Sequence, residues 1–173
     1  RANVYPTREL LARGRQENQI KSCQHCQAEN DSCAHIIGYC SAEQDARIKR
    51  HNHLCELLAE EVKKKDWVLF QELMVRDEQN ELYKPDLVFI KEGQALVVDI
   101  TVRYESKLTS LVDAAAEKIK KYQHLKDLVQ ELTNVNTIRF MGFLPGACGK
   151  WYQVNCKLLK ECGLSSSRQE KLA

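Results

Sequence analysis

The stretch that decides the fold is Lys84-Pro85-Asp86-Leu87-Val88-Phe89-Ile90, followed after Lys91-Glu92-Gly93 by Leu96-Val97-Val98-Asp99-Ile100-Thr101-Val102. Both halves are short, apolar and rich in β-branched residues, and Lys91-Glu92-Gly93 is a turn signal, so the pattern predicts two buried strands joined by a tight hairpin. Each run carries one aspartate among hydrophobes, a charge that is costly to bury unless it is paired or bound to a cation. A hairpin of this kind can set Asp86 and Asp99 side by side. Two close carboxylates repel each other, and a hard divalent cation with oxygen ligands resolves the repulsion. The plainer alternative has Asp86 ending a turn after Pro85 and Asp99 facing solvent on an edge strand.

Working outward, the 173 residues suffice for one domain and a small satellite. No apolar run approaches the roughly 20 residues of a membrane span, so no membrane partner is expected. The amino end is polar and basic, which predicts no secretory leader. A start at Arg1 rather than Met leads us to expect a piece of a longer protein. Net charge is only +2, but basic residues cluster at Arg8, Arg13 and Arg15, at Lys63-Lys64-Lys65, and at Lys118, Lys120 and Lys121. Such clusters are solvated helix faces unless geometry gathers them around a phosphate. Eight cysteines without a leader argue against a disulfide framework. Cys55, Cys148, Cys156 and Cys162 are scattered and are expected to fill core.

Residues 1–20 predict a basic linker with one helical turn at most. Residues 21–41 hold Cys23-Gln24-His25-Cys26, then His35 and Cys40, a C-x2-C-x8-H-x4-C array. Zinc takes four N/S ligands in a tetrahedron, and a two-residue gap lets one turn present two thiolates to one ion. His25 and Cys33 are competing ligands within the array. Ser41 followed by Gln44 is a capping-box pattern opening a helix over 42–65. Ile48, His51, Cys55, Leu58 and Val62 make its core-facing stripe. His51-Asn52-His53 is not an HNH nuclease motif, whose residues are not contiguous; His51 reads as a core or helix-face histidine within reach of DNA. Glu56 and Glu60 are either solvated or able to reach a metal.

Residues 67–75 predict a first strand containing Glu72, an outside candidate for a third metal carboxylate. Residues 81–90 and 95–102 give the second and third strands. A helical period returns over 108–132, with Lys118 and Tyr122 sharing a face. Residues 137–143 are a fourth strand, Pro145–Gly149 a loop, Trp151–Cys162 a closing helix, and 164–173 a flexible tail. Helix, three strands, long helix, strand, helix implies an α/β domain over 42–163, a mixed sheet flanked by helices.

Pro85-Asp86, a twelve-residue gap, and Asp99 after an apolar strand resemble the PD-(D/E)XK core. The family's lysine stands two residues after the second acid, where this chain has Thr101. In one branch the lysine has moved to the following helix as Lys-x-x-x-Tyr, which Lys118 to Tyr122 matches. That branch also carries a Cys-Cys-His-Cys knuckle upstream. Together, over roughly residues 20–160, these motifs resemble the carboxy-terminal zinc knuckle and restriction-like endonuclease of site-specific non-LTR retrotransposons.

The resemblance implies a restriction-endonuclease-like fold in which Asp86, Asp99 and the Ile100 carbonyl hold Mg²⁺ or Mn²⁺, with Lys118 and Tyr122 completing the catalytic set. Zinc in the knuckle, on Cys23, Cys26, His35 and Cys40, would be structural, with Lys21, Arg47, Lys49 and Arg50 nearby to hold nucleic acid. Expected partners are double-stranded target DNA, the element's RNA and an upstream reverse transcriptase of the same polypeptide, in the nucleus. Read from the residues alone, Lys118 is one more exposed helix lysine, and Tyr122 is as much a packing residue as a site residue. Two other functions stand beside the endonuclease: a junction resolvase or repair nuclease of the same fold, and a nucleic-acid-binding module that no longer cuts, with Thr101 marking the lost lysine. Arg103 and Glu105 are expected to pair at the rim of the cleft.

Overall fold

A computed structural model describes residues 6–13, 21–105, 107 and 109–169. Arg15, Leu108 and the outer parts of the expected linker and tail lie outside the described residues. In chain order the elements are α1 (Arg8–Ala12), α2 (Cys33–Gly38), α3 (Gln44–Lys63), β1 (Val68–Gln71), β2 (Val75–Arg76), β3 (Leu82–Tyr83), β4 (Leu87–Lys91) and β5 (Gln94–Ile100). They continue with α4 (Ser110–Tyr122), α5 (Lys126–Thr133), β6 (Thr137–Phe143), α6 (Gln153–Glu161) and α7 (Ser166–Gln169). Among the described residues no helix is long and apolar enough to cross a membrane.

The hairpin forms around a two-residue turn. Glu92 at φ 50° and Gly93 at φ 73° both take the left-handed conformation, the type I′ geometry whose twist matches the flanking strands. β4 and β5 pair antiparallel with Leu87 opposite Val98, so the register carries Asp86 opposite Asp99 one step beyond the last ladder pair. β1 pairs antiparallel with β4, and β6 pairs parallel with β5, giving a mixed four-stranded sheet of order β1-β4-β5-β6. The β5–β6 crossover runs through α4 and α5, as a parallel connection requires.

Strand alternation then sorts the side chains into two layers. Leu87, Phe89, Leu96, Val98 and Ile100 pack with Leu58 and Val62 of α3 and with Leu158 and Leu159 of α6. Val88, Ala95 and Val97 point the other way, against Tyr122, Leu125 and Val129. Asp99 shares the parity of Ala95 and Val97, so it faces the α4 layer. It sits on an interior strand and is 4% exposed, which removes the solvent-facing edge-strand alternative.

Several expectations change on physical grounds. Ser41 does not cap α3: residues Ser41–Glu43 form a short 3-10 turn, and Glu43 precedes the helix without a side-chain cap. Ile48 is exposed, so the buried stripe of α3 starts lower, at Leu58, Ala59 and Val62. The first expected strand breaks at Glu72, held at φ 49°, and the second breaks at Lys84-Pro85-Asp86, where Pro85 has no N–H for a ladder. The halves cut off, β2 and β3, pair with each other. The long helix bends through a 3-10 turn at Gln123–Leu125, and Ile119 and Leu132 are exposed. Of the scattered cysteines only Cys162 is buried; Cys55 and Cys156 are partly covered and Cys148 is exposed in a loop. Arg103 and Glu105 do not pair: Arg103 meets Glu117 at 3.0 Å, while Glu105 accepts from the Cys148 and Lys150 N–H groups. The segment after Cys162 is held, with Leu164 and Gln169 buried and α7 formed between them.

Gly142 lies opposite Asp99 in the β5–β6 register. A Cβ there would meet Leu144 Cδ1 at 2.7 Å and the Ala115 Cα of α4 at 3.3 Å. The bare backbone thus lets α4 settle close over Asp99. Gly142→Ala is expected to push α4 outward and cost about 1–3 kcal/mol; an unchanged denaturation midpoint would show that the helix can yield without loss.

Candidate active site and zinc site

Two clusters of chemically active side chains emerge from this frame. The first is the knuckle. Its opening turn is tied by the Cys23 N–H donating to the Ala28 carbonyl at 2.7 Å and the Gln27 N–H to the Cys23 carbonyl at 3.0 Å, with Gln27 left-handed. Ser32 caps α2 by accepting from the His35 N–H at 3.0 Å, which fixes the ring that points back at the turn. The ligand atoms of Cys23, Cys26, His35 and Cys40 all lie within 4.8 Å of one another. Cys23 Sγ and Cys40 Sγ are 3.9 Å apart and Cys26 Sγ and His35 Nε2 3.1 Å. A tetrahedral site with Zn–S near 2.3 Å has S–S edges of roughly 3.8 Å, so this group can hold zinc.

The backbone N–H near Ala28 lowers the Cys26 thiol to about 6, whereas burial raises that of Cys40. Zinc would take both as thiolates. The competing ligands stand aside: His25 approaches Glu43 at 3.9 Å, and Cys33 faces Tyr104. α1 docks on the knuckle, its Arg8 N–H donating to Asp31 Oδ2 at 2.8 Å and its Arg8 guanidinium to the Ser22 carbonyl at 3.0 Å.

The second cluster is the acid pair. Asp86 Oδ2 accepts the Ile100 N–H at 2.6 Å, a bond across the open end of the hairpin. Asp99 Oδ1 lies 2.7 Å from the Lys118 ammonium on α4, yet this buried oxygen has no partner of hydrogen-bond geometry. A buried carboxylate oxygen left short of donors, beside a second carboxylate, is a donor set suited to a hard oxygen-seeking cation. Tyr122, one turn beyond Lys118, is buried. Its hydroxyl donates to the Lys84 carbonyl at 3.1 Å and accepts from Lys121 at 2.9 Å. Burial pushes the Tyr122 hydroxyl far up, helped by Asp99 and Asp86, so it stays a neutral donor. Burial also raises Asp86, and Asp99 adds to the shift; the Ile100 N–H, His51 and Lys118 oppose it.

These groups open on one cavity of about 380 Å³, lined by Asp86, Asp99, Ile100, Thr101, Lys118 and Tyr122 and by the cations Arg47, Arg50, Lys84 and Lys121. Arg47 also donates to the Cys40 carbonyl and Arg50 to that of Ile37, at 3.3 Å, so α3 links the knuckle to the cavity. Lys49 is exposed, and Lys21 borders a separate hollow at α1.

Of the candidate third carboxylates, Glu56 and Glu72 border a neighbouring hollow that Asp86 also lines. Glu72 is turned outward to Lys84 at 2.9 Å, and Glu60 is exposed farther along α3. Sequence reasoning missed His51 here: its Nε2 is 3.2 Å from Asp86 Oδ2. The only signal was His51 and Cys55 at a four-residue spacing, which packing explains equally well.

No family model matches the chain. It is similar to the Retrovirus-related Pol polyprotein from type-1 retrotransposable element R2 of Bradysia coprophila, 29% identical over 166 residues that cover 96% of this chain and 19% of that protein. A Pol polyprotein of the same name from Popillia japonica is 25% identical over 170 residues, 97% of this chain and 34% of the relative. Homologues of this chain are therefore Pol polyproteins of R2 retrotransposable elements, and the chain spans about a fifth to a third of their length.

Cys26→Ser is expected to release one zinc ion per chain and to loosen the knuckle. Elemental analysis with unchanged metal content would remove the assignment.

Proposed function

We propose that this chain is the carboxy-terminal part of a non-LTR retrotransposon protein, a zinc knuckle (21–41) joined to a restriction-like, metal-dependent DNA endonuclease (42–163). In this reading it acts in the nucleus, nicks double-stranded target DNA, and the exposed 3′ hydroxyl primes copying of the element's RNA by the upstream reverse transcriptase. The reading rests on one observation above all, the Lys118–Asp99 contact of 2.7 Å beside Asp86. It is supported by the similarity of nearly the whole chain to R2 Pol polyproteins.

Asp86, Asp99 and the Ile100 backbone would hold the ion. A bound Mg²⁺ or Mn²⁺ would supply an acidified water and offset charge on the scissile phosphate. The chain's own residues do the positioning. The hairpin register holds the two carboxylates opposite each other, and the Ile100 N–H fixes Asp86 in rotation. Lys118 brings a cation to the reacting phosphate from α4, the task that the residue two places after the second acid performs in the wider family. Thr101, which stands there, cannot supply one. Tyr122, anchored on the Lys84 carbonyl, holds the helix turn that presents Lys118. Arg47 and Arg50 lie close together: burial, then the charge of Arg47, weakens the hold of Arg50 on its proton. An anion between them would relieve that repulsion, and the DNA backbone carries such anions in series.

Thr101 also favours a second reading, a binding module that no longer cuts. Nicking of supercoiled plasmid in Mg²⁺ or Mn²⁺ separates the two. Wild type is expected to nick and Asp99→Ala to be inactive; equal cutting by both would point to a contaminant or another site, and binding without cleavage under either metal would favour the module. Lys118→Ala is expected to lose on the order of 100-fold in rate, the scale of losing one electrostatic stabiliser. Tyr122→Phe should be milder, because the ring still packs. The opposite ranking would mean that Tyr122, not Lys118, faces the phosphate.

A further inference from the structure

One group of ligands is not absorbed by the acid pair or the knuckle. His51 and Cys55 stand four residues apart on α3 and share a face, with Cys55 Sγ 3.7 Å from His51 Nδ1 and 4.0 Å from Nε2. His51 Nε2 is 3.2 Å from Asp86 Oδ2. One ligand atom from each of His51, Cys55 and Asp86 can be chosen so that all lie within 4.8 Å of one another.

The chemistry of this set differs from that of Asp86 and Asp99. Nitrogen, sulfur and oxygen donors together suit zinc, not magnesium, which is bound through oxygen. From the one nitrogen His51 Nε2, the spacings of 4.0 Å to Cys55 Sγ and 3.2 Å to Asp86 Oδ2 lie a few tenths of an ångström outside the roughly 3.3–3.8 Å ligand edges of a tetrahedral zinc, so small side-chain shifts would close the set on an ion. Three protein ligands leave a fourth position, and it opens on a hollow of about 300 Å³ bordered also by Glu56, Gln71 and Glu72. The Glu56 carboxylate at that mouth favours the approach of a cation, while Glu72 is paired with Lys84. Asp86 belongs to this hollow and to the cavity of the acid pair alike.

We propose that His51, Cys55 and Asp86 form a second zinc site, open to solvent, whose occupation takes Asp86 from the acid pair and shuts off metal-dependent cleavage. Binding converts the Cys55 thiol to a thiolate, its proton leaving to solvent. The shut-off rests on the nuclease reading above; the zinc site does not.

The test uses the full chain with its knuckle zinc in place, titrated calorimetrically with Zn²⁺ alone. Wild type is expected to take up a second equivalent. Cys55→Ser and His51→Gln should each lose that equivalent while keeping the first, and Cys26→Ser should show the reverse. Cobalt added as the second equivalent should produce thiolate-to-metal absorption in wild type and none in Cys55→Ser. If Cys55→Ser fails to fold, as read by circular dichroism, His51→Gln decides. A wild type that binds a single equivalent, or variants that still bind two, overturns the site.

In the plasmid assay with Mg²⁺, micromolar zinc should inhibit wild type and leave Cys55→Ser uninhibited, since the variant lacks the second equivalent. A chain that binds the second zinc yet nicks unchanged overturns the shut-off. A chain that never nicks removes the nuclease reading, and the shut-off with it, while the stoichiometry still decides the site.

Discussion

Asp99 is nearly buried on an interior strand, and the hairpin register sets Asp86 directly across from it. Removing a carboxylate from water costs several kcal/mol unless the surroundings compensate, and a like charge next to it raises that cost. Much of the surrounding architecture answers this constraint. The Ile100 N–H is spent on Asp86 and not on a ladder partner. The missing side chain of Gly142 lets α4 approach, so that Lys118 reaches Asp99. The compensation is incomplete, since Asp99 Oδ1 still lacks a hydrogen bond of good geometry and burial still raises Asp86. Two adjoining carboxylates, one with an oxygen that lacks a hydrogen bond, are the kind of oxygen donor set that a hard cation prefers.

The chain separates two kinds of donor side chain along its length. Soft thiolate and imidazole donors gather in the knuckle, where few other groups could form a core. Hard carboxylates gather at the end of the sheet. α3 joins the two regions: its amino-terminal arginines bind the carbonyls of Ile37 and Cys40 and face the acid cavity, and one turn on it presents His51 to Asp86. The knuckle is thereby held against the cavity wall, and the position of the arginines that line the cavity depends on it. His51 and Cys55 stand where the soft and hard donors meet, with His51 touching both the Cys55 thiol and the Asp86 carboxylate.

Much of this was legible in the linear order of residues. The hairpin was readable because Lys91-Glu92-Gly93 leaves room for only a tight turn, and a tight turn allows few registers. The grouping of Cys23, Cys26, His35 and Cys40 was readable because its members lie close together in sequence, at spacings that suit a zinc site. The order of elements followed from the switch between two-residue and 3.6-residue periods. Elements broke where a local feature outweighed the apolar pattern: Glu72 and Pro85 each cut a strand, and a 3-10 turn cut the long helix. The pairing expected between Arg103 and Glu105 failed because each found a partner farther away in sequence: Arg103 the Glu117 carboxylate of α4, and Glu105 the Cys148 and Lys150 N–H groups.

The sequence by itself determined the hairpin, the four-ligand array and the candidates Asp86, Asp99, Lys118 and Tyr122, because each follows from local periodicity or from a resemblance carried by spacing. Only the tertiary structure decided that Asp99 is buried, that Lys118 touches it, and that His51 from the opposite layer reaches Asp86. Those two contacts join residues 19 and 35 positions apart, and they depend on how closely helices settle on a sheet. That closeness is set at positions such as Gly142, whose part is visible only once Ala115 is seen lying above it.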